Sequence, residues 1–149
     1  MIIRKATSKD FEGYCKLKKE ETIDYGKIVG EKIKMPARKP LKKEFNDFLS
    51  KHSILIVLED NNKLAGYGCG RIYGGVWGTK FHIWYLFVEK DYRKKGLGTK
   101  IIKKMIEFAK SRRVKKIALD VNPTNHIAQK LYEKLGFKVD KYRMTKRVK

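Results

Sequence analysis

The segment Arg93-Lys94-Lys95-Gly96-Leu97-Gly98-Thr99 places three cations and two glycines in seven consecutive residues. Glycine lets a backbone fold tightly and turn successive N–H groups toward one point. An amphipathic run follows, so these N–H groups stand at a helix N-terminus, which carries partial positive charge. The chemistry of such a loop is polyphosphate binding, and pyrophosphate is its natural guest. An apolar strand from Ile83 to Val88 leads into the loop. Neither the Walker string G-x-x-x-x-G-K-[ST] nor the dinucleotide pattern G-x-G-x-x-G occurs here.

A second constellation lies downstream. Leu119-Asp120-Val121-Asn122-Pro123-Thr124-Asn125 reads as a strand end and turn, and His126 to Leu135 as a helix ended by Gly136 and Phe137. Asn125 and Tyr132 are seven residues apart, two helical turns, and share a face. The R-x-x-G-x-G loop after a strand, followed by strand, Asn, helix, Tyr and Leu-Gly-Phe, resembles the coenzyme A half-site of the GNAT superfamily of acyl-coenzyme A N-acetyltransferases. The resemblance is specific from about residue 81 to 139 and looser elsewhere.

The resemblance implies acetyl-coenzyme A as co-substrate and assigns roles to individual residues. Backbone N–H groups from Arg93 to Thr99 (Arg93, Lys94, Lys95, Gly96, Leu97, Gly98, Thr99) hold the pyrophosphate, with loose help from the cationic side chains. Backbone groups of Leu86, Phe87 and Val88 pair with the pantetheine arm like an added strand, a sensible use of an unpaired edge. The Val88 N–H is the oxyanion donor. Asn125 hydrogen-bonds the pantetheine or caps its own helix. Tyr132 donates a proton to the leaving thiolate or packs as a core aromatic.

Amine acetylation also requires the acceptor to lose a proton. Many members place Glu six residues before the equivalent of Val88, where this chain has His82; others place Glu five residues before the asparagine, where it has Asp120. Histidine titrates near neutrality and suits the task. His82, Asp120 or a chain of waters remain as alternatives. Acceptor choice is expected from residues 20 to 40 and the loop at 73 to 80. Glu20, Glu21 and Asp24 form an acidic cluster, and Tyr25, Tyr73, Trp77 and Trp84 offer aromatic walls for a cation.

These residues need a scaffold, and the pattern supplies one. Ile2 and Ile3 open a strand. Ser8 can cap a helix with Phe11, Tyr14, Cys15 and Leu17 inward, whereas residues 20 to 40 look irregular. Pro40 suits the first turn of a helix carrying Leu41, Phe45, Phe48 and Leu49. Ile54 to Leu58 and Leu64 to Tyr73 are strands around an Asp60-Asn61-Asn62-Lys63 turn. Gly66, Gly68 and Gly70 leave one strand face bare, which fits either a ligand's approach or a bulge. Helices at 96 to 111 and 124 to 135 flank a strand at 116 to 121; Ile127, Ala128, Leu131 and Leu135 face inward on the second helix. The tail from Lys138 is expected to add one or two strands. The fold class is α/β (α+β): a mixed, mainly antiparallel sheet of six to seven strands with four helices. By resemblance, strands four and five splay to admit coenzyme A. Residues 1–149 read as a single domain.

Composition bounds the rest. A hydrophobic content of 42% fits a globular chain, and the run from Ile54 to Leu58 is too short to span a membrane. Cys15 and Cys69 make no metal pair, and no leader-like apolar segment opens the chain, so a cytoplasmic location is expected. The net charge of +21 implies anionic company, from coenzyme A to nucleic acid, or a lysine-rich surface of compositional origin. Two functions follow: an N-acetyltransferase acting on a primary amine of a small molecule or protein, or a basic nucleic-acid- or ribosome-associated module on the same fold. The partners expected are an amine acceptor and weak non-specific nucleic-acid contact, for a monomer or homodimer.

Overall fold

The computed structural model describes residues 1–74, 78–146 and 148. Five strands form one sheet in the order β1-β2-β3-β4-β5: β1 Ile2–Lys5, β2 Ser53–Asp60, β3 Lys63–Tyr73, β4 Lys80–Val88 and β5 Lys116–Leu119. All neighbours are antiparallel except β4 and β5, which run parallel. Four helices flank the sheet: α1 Phe11–Val29, α2 Arg38–Phe48, α3 Leu97–Ser111 and α4 His126–Lys134.

Local chemistry explains most boundaries. Asn61 and Asn62 both adopt positive φ, the conformation that a two-residue hairpin demands. Two expectations are corrected. The helix opening near Ser8 does not stop at Leu17 but runs to Val29, where Gly30 at φ 71° closes it by donating to the Gly26 carbonyl. The weak apolar period of residues 20–29 hid this, because charged side chains there are paired rather than simply wet. Among the described residues the sheet has five strands rather than the six or seven expected: residues 138–146 join neither strand nor helix.

The sheet separates two cores. One, against α3, gathers Ile54, Ile56, Leu58, Phe81, Ile101 and Met105. The other, against α1 and α2, gathers Tyr14, Leu17, Phe45, Leu55, Tyr67 and Phe87. The bare face of β3 serves the first core. A Cβ on Gly68 would lie 2.5 Å from Ile101 Cγ2, and one on Gly70 would lie 2.4 Å from Phe81 Cζ. These glycines admit α3 and Phe81, not a ligand, and a register shift follows between Cys69 and Gly70.

The second core contains an ion pair. Lys18 Nζ lies 2.8 Å from Glu21 Oε2 with its side chain 6% exposed, and Tyr67 Oη donates to the same carboxylate at 2.8 Å. The ammonium also sits over the Tyr85 ring. Removing one member of a buried pair strands the other, so Glu21→Ala is expected to cost about 3–5 kcal/mol. Lys18→Met combined with Glu21→Ala should recover most of it. Urea unfolding of the three chains checks this; a single variant within about 0.5 kcal/mol of the parent would contradict it.

Candidate active site

The two parallel strands set the geometry. β5 pairs with β4 only from Lys80↔Lys116 to Ile83↔Leu119, while β4 continues five residues further, to Val88. On its other side β4 stays paired with β3 as far as Gly66↔Val88. Beyond Ile83 the edge of β4 that faces β5 therefore has no strand beside it among the described residues. Trp84 is skipped between Ile83↔Gly70 and Tyr85↔Cys69, so β4 carries its bulge where β5 leaves it.

At the far end of that edge the glycine loop forms a cradle. Lys94 and Gly96 have φ of 60° and 72°. Alternation of left- and right-handed residues turns successive N–H groups inward. α3 starts at Leu97 and its first helical bond is Lys100 N–H to the Gly96 carbonyl, with no side-chain cap. The N–H groups of Leu97, Gly98 and Thr99 are left at the helix start. Leu97 itself is buried and contributes only its backbone. Nothing lies within 4 Å of a Cβ built on Gly96, and one on Gly98 would meet only Leu86 and Leu131 at van der Waals distance.

The loop's cations divide their work. Arg93 turns away from the cradle: its Nε donates to the Val88 carbonyl at 2.7 Å and its Nη2 pairs with Asp24 at 2.6 Å. Lys95 donates to the Asp91 carbonyl, and Lys94 has no ion pair among the described residues. Phe87 points into the α1/α2 core under the Arg93 guanidinium, and Leu86 points toward α3.

α4 forms the opposite bank. Asn125 is its N-cap, with Oδ1 accepting from Ala128 N–H at 3.2 Å, while its Nδ2 bonds no described residue. The Leu-Gly-Phe string ends the helix. Gly136 at φ 86° donates to Glu133, Phe137 donates to Tyr132, and the Phe137 ring meets Tyr132 edge-on at 5.8 Å. That motif fixes the Tyr132 ring against the α3 core. The Tyr132 hydroxyl has no hydrogen-bond partner among the described residues, and burial pushes its pKa up to about 12. Ile127, expected inward, is 85% exposed. α1 reaches both banks: Asp24 holds Arg93, and the Ile28 carbonyl accepts from Thr124 Oγ1 at 3.0 Å.

The two rival bases stand together. His82 Nε2 lies 3.8 Å from Asp120 Oδ2, one on β4 and the other just past β5. Burial lowers the His82 pKa; Asp120 pulls it up, and Lys80, Lys141 and Arg143 push it down again. Trp84 packs edge-on against the imidazole at 5.3 Å and donates from Nε1 to Tyr73 Oη at 3.0 Å. Arg143 Nη2 reaches the same Asp120 oxygen at 3.1 Å.

The other acceptor residues scatter. Glu21 turns into the core, Asp24 is taken by Arg93, and Glu20 pairs with Lys16 at 3.8 Å. Tyr25 is exposed, and Trp77 lies outside the described residues. Among the described residues no cluster could hold a metal ion, and no helix is long and apolar enough to cross a membrane. Sequence reasoning missed Arg143, Thr124 and Lys18. In a chain of 37 basic residues a single tail arginine carries no signal.

Comparison with known proteins agrees with this fold. Among solved structures, a variant of the BH1408 protein of Bacillus halodurans superposes with a TM-score of 0.85 at 24% identity, covering 99% of this chain and 100% of that one. A predicted acetyltransferase from Clostridium acetobutylicum, solved with acetyl-CoA, gives 0.80 at 22%, covering 98% and 95%. A putative [ribosomal protein bS18]-alanine N-acetyltransferase of Bacillus subtilis is 31% identical over 83 residues, 54% of this chain and 51% of that protein. N-alpha-acetyltransferase 30 of Xenopus laevis is 42% identical over 60 residues, 40% and 22%. Thialysine N-epsilon-acetyltransferase of Bos taurus is 34% identical over 74 residues, 49% and 44%. The match thus spans about half or less of these relatives. The model of the acetyltransferase (GNAT) family matches residues 16–137, so the chain belongs to the GNAT family, whose acetyl donor is acetyl-coenzyme A.

Proposed function

We propose that the protein transfers an acetyl group from acetyl-coenzyme A to a primary amine by direct attack within a ternary complex. The observation that carries this reading is the meeting of His82 and Asp120 where β4 and β5 part, with the N–H cradle at the far end of the free β4 edge. The relatives support an amine: their names specify an alanine, an alpha-amino group and an epsilon-amino group.

The residues fit the donor. The cradle N–H groups of Leu97, Gly98 and Thr99, with Lys94 beside them, would hold the pyrophosphate. The free edge at Leu86 to Val88 would pair the pantetheine arm, and the Asn125 Nδ2 left over from capping would donate to it. Arg93 holds the Val88 carbonyl and so sets that edge rather than binding phosphate. When bound, acetyl-coenzyme A supplies the acetyl group as a thioester.

An ammonium has no lone pair, so the acceptor must first give up a proton. The His82–Asp120 pair takes it, with His82 as the receiving group because its depressed pKa keeps the ring neutral at physiological pH. The Val88 N–H meets the developing oxyanion. Tyr132 stays protonated to about pH 12 and so offers its proton to the departing sulfur across the working range.

The pH profile tests the base. A neutral base works only above its pKa, and that of His82 lies below the usual histidine value. The acidic fall in kcat/KM is therefore expected below about pH 6.5. His82→Ala should remove that limb; Asp120→Asn should move it further down, since the carboxylate's upward pull on the imidazole is lost. An acidic limb unchanged in both variants means that water carries the proton. Initial rates should give intersecting patterns for the two substrates; parallel patterns would point instead to an acetylated enzyme.

A further inference from the structure

The tail beyond α4 is fastened along β5 by charge. Asp140 Oδ2 lies 2.8 Å from Lys116 Nζ at the start of β5, and Arg143 Nη2 lies 3.1 Å from Asp120 Oδ2 just past its end. The tail thus runs beside β5 in the same direction. Its apolar side chains take no part: Tyr142 and Met144 are 88% and 93% exposed. β5 is the last strand of the sheet, and no backbone hydrogen bond joins the described tail to it. An edge of unpaired N–H and C=O groups is therefore left open, the kind of template on which an extended peptide adds as a strand.

Arg143 places a cation on Asp120, the carboxylate partner of the histidine that the proposed reaction assigns to receiving the acceptor's proton. The acceptor arrives as an ammonium, and two cations compete for one carboxylate. Exposed ion pairs are weak and screened by salt, so the tail is easily displaced. What Asp120 and Lys116 hold is a short stretch of chain outside any helix or strand, with a cation at one end and an anion three residues before it.

Resting on the acetyltransferase reading, we propose that Arg143 stands in for the acceptor's ammonium, and that the acceptor is an extended cationic peptide which displaces the tail from β5. The site selects for a chain that brings its amine to Asp120 and lays its backbone along the open edge. Tail and acceptor exclude one another, so the tail raises the concentration of acceptor required without altering turnover of the bound complex.

Steady-state kinetics on the full chain test this, with a lysine-rich heptapeptide bearing a free N-terminus as acceptor and thiol release as readout. Arg143→Ala should lower KM for the peptide about two- to fivefold, the factor matching one exposed ion pair, with kcat unchanged. Arg143→Lys should keep the parent KM. A synthetic peptide of residues 140–146, blocked at both ends and with its lysines as the dimethyl form, should inhibit competitively against the acceptor and not against acetyl-coenzyme A. An unchanged or raised KM in Arg143→Ala, or inhibition competitive with acetyl-coenzyme A, overturns the role of the tail while leaving the acetyltransferase reading intact. A parent enzyme that releases no thiol with any amine overturns both.

Discussion

Tyr132→Phe is expected to lower kcat by about ten- to a thousandfold, the range of a lost general acid, with little change in affinity for acetyl-coenzyme A. The hydroxyl acts on charge that develops only as the carbon–sulfur bond breaks, so its removal is felt in the transition state rather than in the bound ground state. The structure sharpens this expectation. The ring is anchored by Phe137 and the helix-ending turn, and phenylalanine preserves those contacts, so packing is retained. The hydroxyl bonds no described residue, and no internal network collapses with it. Burial holds the pKa near 12, which makes the phenol a reluctant acid but a constant donor; no alkaline limb from Tyr132 is expected below that value. Turnover at the parent level across pH would leave Tyr132 a packing residue.

Gly96→Val is expected to weaken acetyl-coenzyme A binding by about ten- to a hundredfold, measured by calorimetry. Gly96 holds φ 72°, and a β-branched residue forced there costs about 1–3 kcal/mol or flips the peptide. Either outcome turns N–H groups away from the pyrophosphate. The Cβ itself would meet no protein atom, so the change is read at the cradle and not in the core. Gly98 has no positive φ and space for a small side chain, so Gly98→Ala should do far less harm. Equal affinity in parent and Gly96→Val would place the pyrophosphate elsewhere.

Much of this arrangement was legible before any coordinates. The glycine loop, the strand feeding it and the α4 sequence from Asn125 to Phe137 declare themselves because backbone conformation there depends on residue type: Gly96 and Gly136 both sit at positive φ. The acid–base candidates were legible singly. That His82 and Asp120 form one pair was not, because it rests on the parallel register His82↔Ala118. The reach of α1 to Val29 was hidden by its polar surface, where Lys18 and Glu21 look solvated in sequence yet Lys18 is buried and Glu21, half-buried, pairs with it. The glycines of β3 fitted either a ligand's approach or a bulge in sequence; Gly68 and Gly70 instead receive Ile101 and Phe81, Gly66 lies against the β4 backbone, and the register shifts at Cys69/Gly70. The tail's strands failed to appear, and its ion pairs to Lys116 and Asp120 could not be told apart from the rest of a +21 surface.

The most direct test of the central claim is stoichiometry. Purified protein, acetyl-coenzyme A and a panel of primary amines and basic peptides should release free thiol only when an amine is present. Mass spectrometry should then find one added acetyl group on an acceptor nitrogen for each thiol released. Thiol release independent of any amine, or acetyl-coenzyme A left intact with every acceptor while Gly96→Val binds it as well as the parent does, would contradict the assignment of this opening as an acetyl-transfer site.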